Sequence, residues 1–304
     1  MSTIKETLKQ VKWLMNCYVF VNTKYYQILT LISPTLNTKA RFKSKFGRKI
    51  DLENPQTLNE KILKLKLDDY IYNPLVKQCA DKYSVRKYIE NNGCSDILIP
   101  LIASYDKVDE IKWTELPDAF AMKWNFGCGF NVICPDKTKL DITETCRKLK
   151  KWGKDKSCYL DFSEMQYKDV LRKIIVEQYL KPSNGLLPAD YKVYCFHGTP
   201  QAILVIEDRG TDRIAAGFFD CNWSYISSTG KEKYQPFENV PEKPLCLKQM
   251  LEYSSILSKP FPFVRVDYYI IDSQLYFGEM TFTPAGGHSV SQCIINGKEM
   301  GDLL

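Results

Sequence analysis

Residues 263–281 read FVRVDYYIIDSQLYFGEMT, and this stretch decides the fold class. Two runs rich in β-branched and aromatic residues, Phe263–Ile271 and Leu275–Thr281, flank a short polar turn, which predicts a β-hairpin. Each predicted strand carries one acid, Asp267 on the first and Glu279 on the second. The stretch therefore predicts an antiparallel sheet that presents a pair of carboxylates.

The length of the turn decides whether the two acids can share a ligand. Side chains alternate between the two faces of a strand, so a shift of one residue reverses every face. A two-residue turn, Asp272-Ser273, places Asp267 and Glu279 on opposite faces unless a bulge intervenes. A three-residue turn that includes Gln274 pairs them directly. We expect the three-residue turn.

Paired carboxylates on one face suit a hard cation. Mg²⁺ bound with nucleotide phosphates takes one or two protein carboxylates and completes its shell with phosphate oxygens and water. In the expected register, Arg265 and Thr281 share the face of Asp267 and Glu279. The alternative is that the two acids are surface residues or ion-pair partners of Arg265.

A lysine at the end of a predicted strand precedes a loop with two glycines. The strand Ala119–Lys123 leads into residues 124–129, which contain Gly127 and Gly129. Glycine lets the backbone approach phosphates, and a lysine neutralises their charge. The Walker sequence is absent from the chain. An ordinary hairpin turn is the alternative.

The apolar run from Lys173 to Leu180 includes a single acid, Glu177. A flat apolar wall with backbone donors and acceptors suits an adenine ring, and a following carboxylate suits ribose hydroxyls. A core strand is the alternative, and the spacing does not decide between them.

Composition indicates a globular catalytic unit with lobes. The 304 residues are 44% hydrophobic and 26% charged, and the net charge is +6. The basic run Lys39–Lys49 lacks a nucleic-acid motif, so no nucleic-acid partner is expected. Eleven cysteines without a Cys-x-x-Cys pair and only two histidines argue against a zinc cluster, a disulfide framework and a Ser-His-Asp hydrolase.

Residues 4–32 follow the spacing of an amphipathic helix with lysines nearby. The apolar positions are Ile4, Leu8, Val11, Met15 and Tyr18, and the lysines are Lys5, Lys9 and Lys12. A secretory signal and a run of about 20 apolar residues are absent, so we expect a cytoplasmic protein. The helix either packs on the rest of the protein or lies on the inner face of the cell membrane.

Further elements follow along the chain. Ser33-Pro34 ends the first helix and a basic connector follows, after which Thr57-x-x-Glu60 predicts a capping box. Pro74–Asn91 is predicted as one helix. Pro244–Lys259 is predicted as another, with Leu245 turned inward.

Several of these segments, in this order, resemble the TupA-like branch of the ATP-grasp superfamily. The resemblance covers roughly residues 55–304 and rests on Asp81–Arg86, Phe120–Lys123 with the glycine loop, Asp190–Phe196, Phe263–Asp267 and Tyr276–Phe282. It implies an α+β fold in which two α+β subdomains with antiparallel sheets grip ATP, preceded by a helical N-terminal region. The implied organisation is an N-terminal helix and connector (1–54), a helical lobe (55–115), a small subdomain with the glycine loop (116–180) and a large subdomain with the metal site (181–304).

The resemblance also implies a role for each matching residue. For ATP, it implies phosphate contacts for Lys82, Lys123 and Lys192 beneath a loop with Gly127 and Gly129, adenine contacts for Glu177, Tyr179 and Leu180, and a ribose contact for Asp190. For the metal, it implies that Asp267, Glu279 and Thr281 are Mg²⁺ ligands. For the reaction, it implies catalytic roles for Arg265 and Lys192. Two positions depart from the family pattern. Glu279-Met280-Thr281 stands in place of Glu-x-Asn, and Phe126 stands where relatives often carry histidine.

The implied activity is a Mg-ATP-dependent ligase that activates a carboxylate as an acylphosphate and joins it to an amine. The family's association with teichuronopeptide and surface polysaccharide synthesis points to an amino acid joined to a uronic-acid glycan or its precursor. A sugar or glycan kinase of the same fold and a non-catalytic binding or scaffolding protein are the alternatives.

Overall fold

The computed structural model describes residues 11–181, 187–226, 228, 234–289 and 292–304. The N-terminal third is helical: α1 (Lys12–Ile32), α2 (Pro34–Phe46), α3 (Leu58–Leu65), α4 (Pro74–Ala80) and α5 (Val85–Asn91). A π-helical turn, Lys66–Tyr70, extends α3.

Two antiparallel sheets follow. The first contains β1 (Leu101–Tyr105), β2 (Phe120–Trp124), β3 (Asn131–Cys134) and, after α6 (Ile142–Trp152) and α7 (Ser157–Leu160), β4 (Ile174–Gln178). The second contains β5 (Asp190–Phe196), β6 (Thr199–Glu207), β7 (Ala215–Phe219), β8 (Tyr225–Ile226) and, after α8 (Leu247–Ser258), β9 (Phe263–Ile271) and β10 (Gln274–Thr281). A two-stranded ribbon, β11 (Ile294–Ile295) and β12 (Lys298–Glu299), lies near the C-terminus. Single 3₁₀ turns occupy Ser95–Ile97, Val108–Glu110, Trp113–Glu115, Lys137–Lys139, Met165–Tyr167, Pro284–Gly287 and Met300–Leu303.

The strand order places the candidate residues on central strands. The small sheet runs β1-β4-β2-β3 and the large sheet runs β10-β9-β5-β6-β7-β8. All the strand pairs of both sheets are antiparallel. β4 and β2 are therefore neighbours, as are β5, β9 and β10.

The large sheet is buried on both faces. Val193 and Cys195 of β5 pack with α8 and α5 in one hydrophobic cluster, whereas Tyr194 and Phe196 pack with α3 in another. Because side chains alternate, Asp190 and Lys192 share the face of Tyr194 and Phe196. The polar start of β5 thus continues a buried apolar face.

The structure corrects three local predictions. The segment expected to be a connector forms α2, because Pro34 occupies the first turn of a new helix, where its missing N–H costs no hydrogen bond. The helix predicted over Pro74–Asn91 is broken after Ala80, since the Asp81 carboxylate accepts from the backbone N–H groups of Tyr83 and Ser84. Leu245 is 89% exposed and precedes α8.

The predicted capping box is confirmed at the start of α3. Thr57 Oγ1 accepts from Glu60 N, and Glu60 Oε2 accepts from Thr57 N at 3.1 Å. Glu60 Oε1 also accepts from Arg48 at 2.5 Å. Burial raises the pKa of the Glu60 carboxyl, but the hydrogen bonds from Arg48, Thr57 and Asp51 outweigh this and lower it from 4.5 to about 2.

Replacing Glu60 with glutamine is expected to lower the free energy of unfolding by about 3 kcal/mol, the equivalent of the lowered pKa. The depressed pKa in the folded state means that this stabilisation is complete above about pH 4.5 and is lost as the pH falls towards about 2. Urea unfolding of the parent and Glu60→Gln from pH 7 to pH 2 measures the difference. Glu53→Gln, at an exposed position of the same segment, is the control. If the difference in free energy of unfolding between parent and variant does not shrink as the pH falls, the ionised Glu60 carboxylate is not the source of the stabilisation.

Candidate active site

The β9–β10 hairpin brings the two acids together by a route that differs from the predicted one. The turn has two residues, Asp272 and Ser273, with φ of 49° and 65°, so the expected three-residue turn is wrong. The register then shifts by one residue at Gly278, and Glu279 pairs with Asp267. A β-bulge thus restores the face that the short turn would have lost.

The bulge depends on the absence of a side chain at position 278. A Cβ added to Gly278 would lie 2.9 Å from the backbone oxygen of Asp267. Real Cβ atoms do not approach backbone oxygens so closely, so any larger residue must displace one strand from the other. Gly278 therefore positions both acids.

Replacing Gly278 with alanine is expected to raise the Mg²⁺ concentration for half-saturation of nucleotide binding about tenfold, because the acids separate. Stability should fall by about 1 to 3 kcal/mol. Isothermal titration at several Mg²⁺ concentrations measures the first effect. Gly217→Ala is the matched control, since a Cβ there would also clash, with the Tyr225 ring at 2.6 Å, but on β7. An equal Mg²⁺ shift in both variants contradicts a special role for the bulge.

Asp267 is held by two cations. Arg265 donates from Nε to Asp267 Oδ1 and from Nη2 to Oδ2, both at 2.6 Å, and Lys192 Nζ lies 2.8 Å from Oδ2. Arg265 also donates to Thr281 Oγ1 at 3.3 Å. Burial lowers the pKa of the Arg265 guanidinium, but the Asp267 carboxylate outweighs it, so the pKa is raised and the guanidinium stays charged. The predicted sharing of one face by Arg265, Asp267 and Thr281 is confirmed.

Glu279 is the more accessible of the two acids. Its side chain is 39% exposed, against 5% for Asp267. Burial of the carboxyl raises its pKa, but the charges of Lys82, Arg265 and Lys192 and the hydrogen bond from Thr281 lower it to about 2. Glu279 is therefore ionised at neutral pH.

Lys82 joins the two sheets. Its Nζ donates to the backbone oxygen of Gly127 at 2.6 Å and lies 3.5 Å from Glu279 Oε2. The glycine loop of the small sheet and the acid pair of the large sheet thus meet at one ammonium group. Gly127 and Gly129 have φ of 64° and 81°, the left-handed region that glycine adopts without strain.

The small sheet contributes a second ion-pair group. Lys123 Nζ lies 2.7 Å from Glu177 Oε2, and Arg86 Nη1 lies 3.3 Å from Glu177 Oε1. Both Lys123 and Glu177 stand on central strands, β2 and β4, whose antiparallel pairing fixes the contact. Tyr179 and Leu180 follow β4 as half-buried residues, and residues 182–186 lie outside the described part of the chain.

Asp190 lies between two cations at the start of β5. Arg209 Nη1 lies 2.7 Å from its Oδ1 and Lys192 Nζ lies 3.4 Å from its Oδ2. Burial raises the pKa of the Asp190 carboxyl, and the two cations oppose that shift. Lys192 therefore bridges Asp190 and Asp267, the predicted ribose and metal acids.

Sequence reasoning missed several residues of the site. Arg86 and Arg209 were assigned no role, and neither were Asp81 and Asn125. The buried Asn125 donates to Asp81 Oδ1 at 2.8 Å and accepts from the backbone N–H of Lys173, while Lys82 N donates to its backbone oxygen. Asn125 thus ties the glycine loop to the segment that carries Lys82. The one available signal was the Asp81–Arg86 segment, whose match to the family extends beyond its lysine.

The assembled groups carry an excess of positive charge. Six cations face five carboxylates: Lys82, Arg86, Lys123, Lys192, Arg209 and Arg265 against Asp81, Glu177, Asp190, Asp267 and Glu279. Cations in excess of their protein partners attract an anionic ligand.

The donor set fits Mg²⁺ only together with a phosphate ligand. Within the described residues, no group of three or more His, Cys, Asp or Glu side chains is arranged to hold a metal ion by itself. The adjacent pair Asp267 and Glu279 supplies the one or two carboxylates that Mg²⁺ takes beside nucleotide phosphates. In this structure the Thr281 hydroxyl donates to Glu279 Oε1 at 3.2 Å, so a metal-ligand role for Thr281 stays a prediction.

A cavity of about 670 Å³ adjoins the site. Its wall includes Asp81, Arg86, Leu101 and Gln166. It shares Arg86 with the Glu177 ion pair and Asp81 with the Asn125 contact. The cavity therefore lies next to the groups that position Lys82.

The sequence model of the TupA-like ATPgrasp family matches residues 60–303, which include every predicted site residue. The chain belongs to this family. The α+β ATP-grasp fold that the sequence predicted is therefore confirmed. No curated protein matches the chain.

Solved structures of ATP-grasp proteins show a distant likeness. D-alanine–D-alanine ligase from Bacillus anthracis is 20% identical, with a TM-score of 0.40 over 67% of this chain and 57% of that chain. L-amino acid ligase from Bacillus licheniformis is 13% identical, with a TM-score of 0.41 over 74% of this chain and 49% of that chain. The chain thus spans only about half of the length of these proteins. At these identities and TM-scores the likeness concerns the fold alone.

Proposed function

We propose that this TupA-like ATPgrasp protein is a Mg-ATP-dependent ligase that joins a carboxylate to an amine. The observation that carries the proposal is the pair of adjacent carboxylates, Asp267 and Glu279, which lies among cations at the point where Lys82 links the two sheets. MgATP carries about two net negative charges at neutral pH, so the net positive charge of these groups would attract it.

The lysines would hold the triphosphate. Lys82, Lys123 and Lys192 each have a carboxylate partner in this structure, at 3.5, 2.7 and 2.8 Å. A phosphate oxygen offers the same charge-assisted hydrogen bond as a carboxylate oxygen, so each lysine could exchange or share its partner without being left buried and unpaired. Exchange at Lys82 and Lys192 would release Glu279 and Asp267, the predicted metal ligands. Exchange at Lys123 would release Glu177, which keeps its ion pair with Arg86.

Asp267 and Glu279 would hold Mg²⁺, with Thr281 as a further oxygen. The ion would offset the charge that develops on the transferring phosphoryl group. Arg265 is oriented by its two bonds to Asp267, so its charge is fixed before substrate arrives. Catalysis would then consist of positioning and electrostatic stabilisation, without a protein nucleophile.

Glu177, Tyr179 and Leu180 would contact adenine, and Asp190 would contact the ribose. Glu177 and Asp190 are each 5% exposed, so the protein would already hold both carboxylates in position when the nucleotide binds. Arg86 and Arg209 would keep these two acids compensated while Lys123 and Lys192 bind phosphate.

The chemistry proceeds in two balanced steps. The acceptor carboxylate would attack the γ phosphorus of ATP, forming an acylphosphate and releasing ADP. The amine would then attack the acyl carbon, forming an amide and releasing phosphate. By family association, the carboxylate is a uronic acid of a surface polysaccharide or its precursor, and the amine is that of an amino acid.

Hydroxylamine trapping tests the proposal without knowledge of the amine. Hydroxylamine attacks an acylphosphate to give a stable hydroxamate, so incubation with ATP, Mg²⁺ and a pool of uronic-acid glycans should yield hydroxamates together with equal amounts of ADP and phosphate. Mass spectrometry of the products measures this. ADP release with a stable phosphorylated glycan and no hydroxamate would identify a kinase instead. Absence of Mg²⁺-dependent nucleotide binding would favour a binding or scaffolding protein.

A further inference from the structure

The helical hairpin α1–α2 lies before the region that matches the ATP-grasp family, which begins at residue 60. The helix predicted over residues 4–32 is confirmed from Lys12 to Ile32, whereas Ile4, Leu8, Lys5 and Lys9 lie outside the described residues. One side of α1 packs on the protein body, which is one of the two alternatives that the sequence predicted. The other side of α1 is exposed.

The outer side of the hairpin is apolar and open. Large hydrophobic side chains that are 47–73% exposed concentrate here: Trp13, Val19, Phe20, Val21, Tyr25, Ile28, Leu31, Ile32 and Leu36. Trp13, Phe20, Ile28 and Leu31 are spaced by seven, eight and three residues, which places them on one face of the helix. A concentration of apolar surface on one element is typical of an interaction site rather than of scattered exposure.

The same hairpin has no acidic residue. Between residues 11 and 50 the chain contains no Asp or Glu, and its basic residues are Lys12, Lys24, Lys39, Arg41, Lys43, Lys45, Arg48 and Lys49. Lys24, Lys39, Lys43 and Lys49 are exposed. Within the hairpin, the charged residues that accompany the apolar face are therefore all basic.

A groove of about 430 Å³ lies between α1 and α2. Its apolar lining includes Leu29, Leu36 and Ala40, and three exposed lysines, Lys39, Lys43 and Lys49, complete it. An apolar groove bordered by ammonium groups suits a molecule with a hydrocarbon chain and an anionic head. The groove adjoins the apolar face through Tyr25 and Leu36, which belong to both.

The hairpin is fixed to the body by buried hydrogen bonds. Thr30 Oγ1 donates to the backbone oxygen of Leu160 at 2.6 Å, and Asn37 Nδ2 donates to the backbone oxygen of Asp161. Asn37 Nδ2 also donates to the backbone oxygen of Tyr26, which joins α2 to α1. Gln27 Nε2 donates to Asp161 Oδ1 at 2.8 Å. If the hairpin binds to another surface, these hydrogen bonds would therefore hold the rest of the protein in one orientation relative to that surface.

We propose that the outer face of α1–α2 is a docking surface for an anionic membrane, with Lys39, Lys43 and Lys49 on lipid phosphates and the apolar face of α1 among acyl chains. Apolar insertion and attraction to anionic lipid together support peripheral binding. No helix among the described residues has the length and apolar character to cross a membrane, so the contact is with one leaflet. This fits a substrate that is carried on a membrane lipid.

Vesicle co-sedimentation of the full chain tests the proposal. The protein should bind vesicles of phosphatidylcholine with about 30% phosphatidylglycerol, bind pure phosphatidylcholine vesicles far more weakly, and lose affinity as salt rises from about 0.1 to about 0.5 M. The triple variant K39Q/K43Q/K49Q should bind anionic vesicles on the order of 100-fold more weakly. F20S/L31S should lose a similar factor.

Matched controls carry the same chemical changes elsewhere. K243Q/K248Q/K298Q removes three other exposed lysines, and L171S/L245S removes two leucines that are 83% and 89% exposed. Both should bind vesicles like the parent. Equal binding to neutral and anionic vesicles, or equal losses in the control variants, would overturn the proposal. Sedimentation velocity that shows an α1-dependent dimer without vesicle binding would assign the face to a second copy of the chain.

Discussion

Replacing Glu279 with glutamine is expected to lower Mg²⁺-dependent turnover at least about 1,000-fold, or about 4 kcal/mol of transition-state stabilisation. Glutamine keeps the shape of the side chain but removes the negative charge that a hard cation needs. The Glu279 side chain is 39% exposed, and its partner Lys82 keeps its hydrogen bond to the backbone oxygen of Gly127, so the fold should persist. Hydroxamate formation or ADP release, measured over a wide range of Mg²⁺ concentrations, gives the effect.

The lost activity should be recovered in part at high Mg²⁺, because Asp267 remains. Glu238→Gln, which changes an exposed acid outside the site, is the control and should keep parental turnover. Thermal unfolding of the variant should stay close to that of the parent. A folded Glu279→Gln protein with parental turnover and an unchanged Mg²⁺ requirement would remove Glu279 from the metal site.

Replacing Lys123 with alanine is expected to weaken ATP binding about 100-fold and to lower turnover by at least as much. Truncating a charge that meets phosphate in a desolvated site costs about 2 to 5 kcal/mol. Glu177 loses its 2.7 Å partner in this variant but keeps Arg86 at 3.3 Å, so its charge stays compensated and the fold should persist. Isothermal titration with a non-hydrolysed ATP analogue and Mg²⁺ measures the binding.

Lys173→Ala is the matched control for Lys123→Ala. Lys173 precedes β4 and its Nζ lies 2.5 Å from the exposed acid Asp106, outside the ion-pair groups of the site. Its loss should leave ATP affinity unchanged. If folded Lys123→Ala protein binds the analogue as tightly as Lys173→Ala does, Lys123 does not contact phosphate.

Local sequence patterns predicted the elements that carry the site. Runs rich in β-branched and aromatic residues located β9 and β10, and the Thr57-x-x-Glu60 spacing located the start of α3. These predictions succeeded because they depend on residues within a few positions of one another. The order of the segments, and not any one of them, indicated the ATP-grasp family.

Predictions failed where a local signal had two meanings. Ser33-Pro34 ends one helix and also begins the next, and only the packing of α2 on the body favours the second outcome. The hairpin has the two-residue turn that is commonest in β-hairpins, Asp272-Ser273. The three-residue turn was expected because, without a bulge, only that length pairs Asp267 with Glu279. Both conditions are met because Gly278 admits a bulge.

The sequence by itself determined the two antiparallel sheets, the lysine before the glycine loop, the acids of the last hairpin and the family. Only the tertiary structure decided which charges meet: Lys82 with Glu279, Arg86 with Glu177, Arg209 with Asp190. The first two pairs join residues that are about 200 and 90 positions apart. Their contacts depend on how α4 and α5 pack on the large sheet and on the backbone hydrogen bond from Lys82 to Asn125 beside the small sheet. The exposure of the α1 face was decided in the same way, because spacing shows that a helix has an apolar side but not whether the folded body covers it.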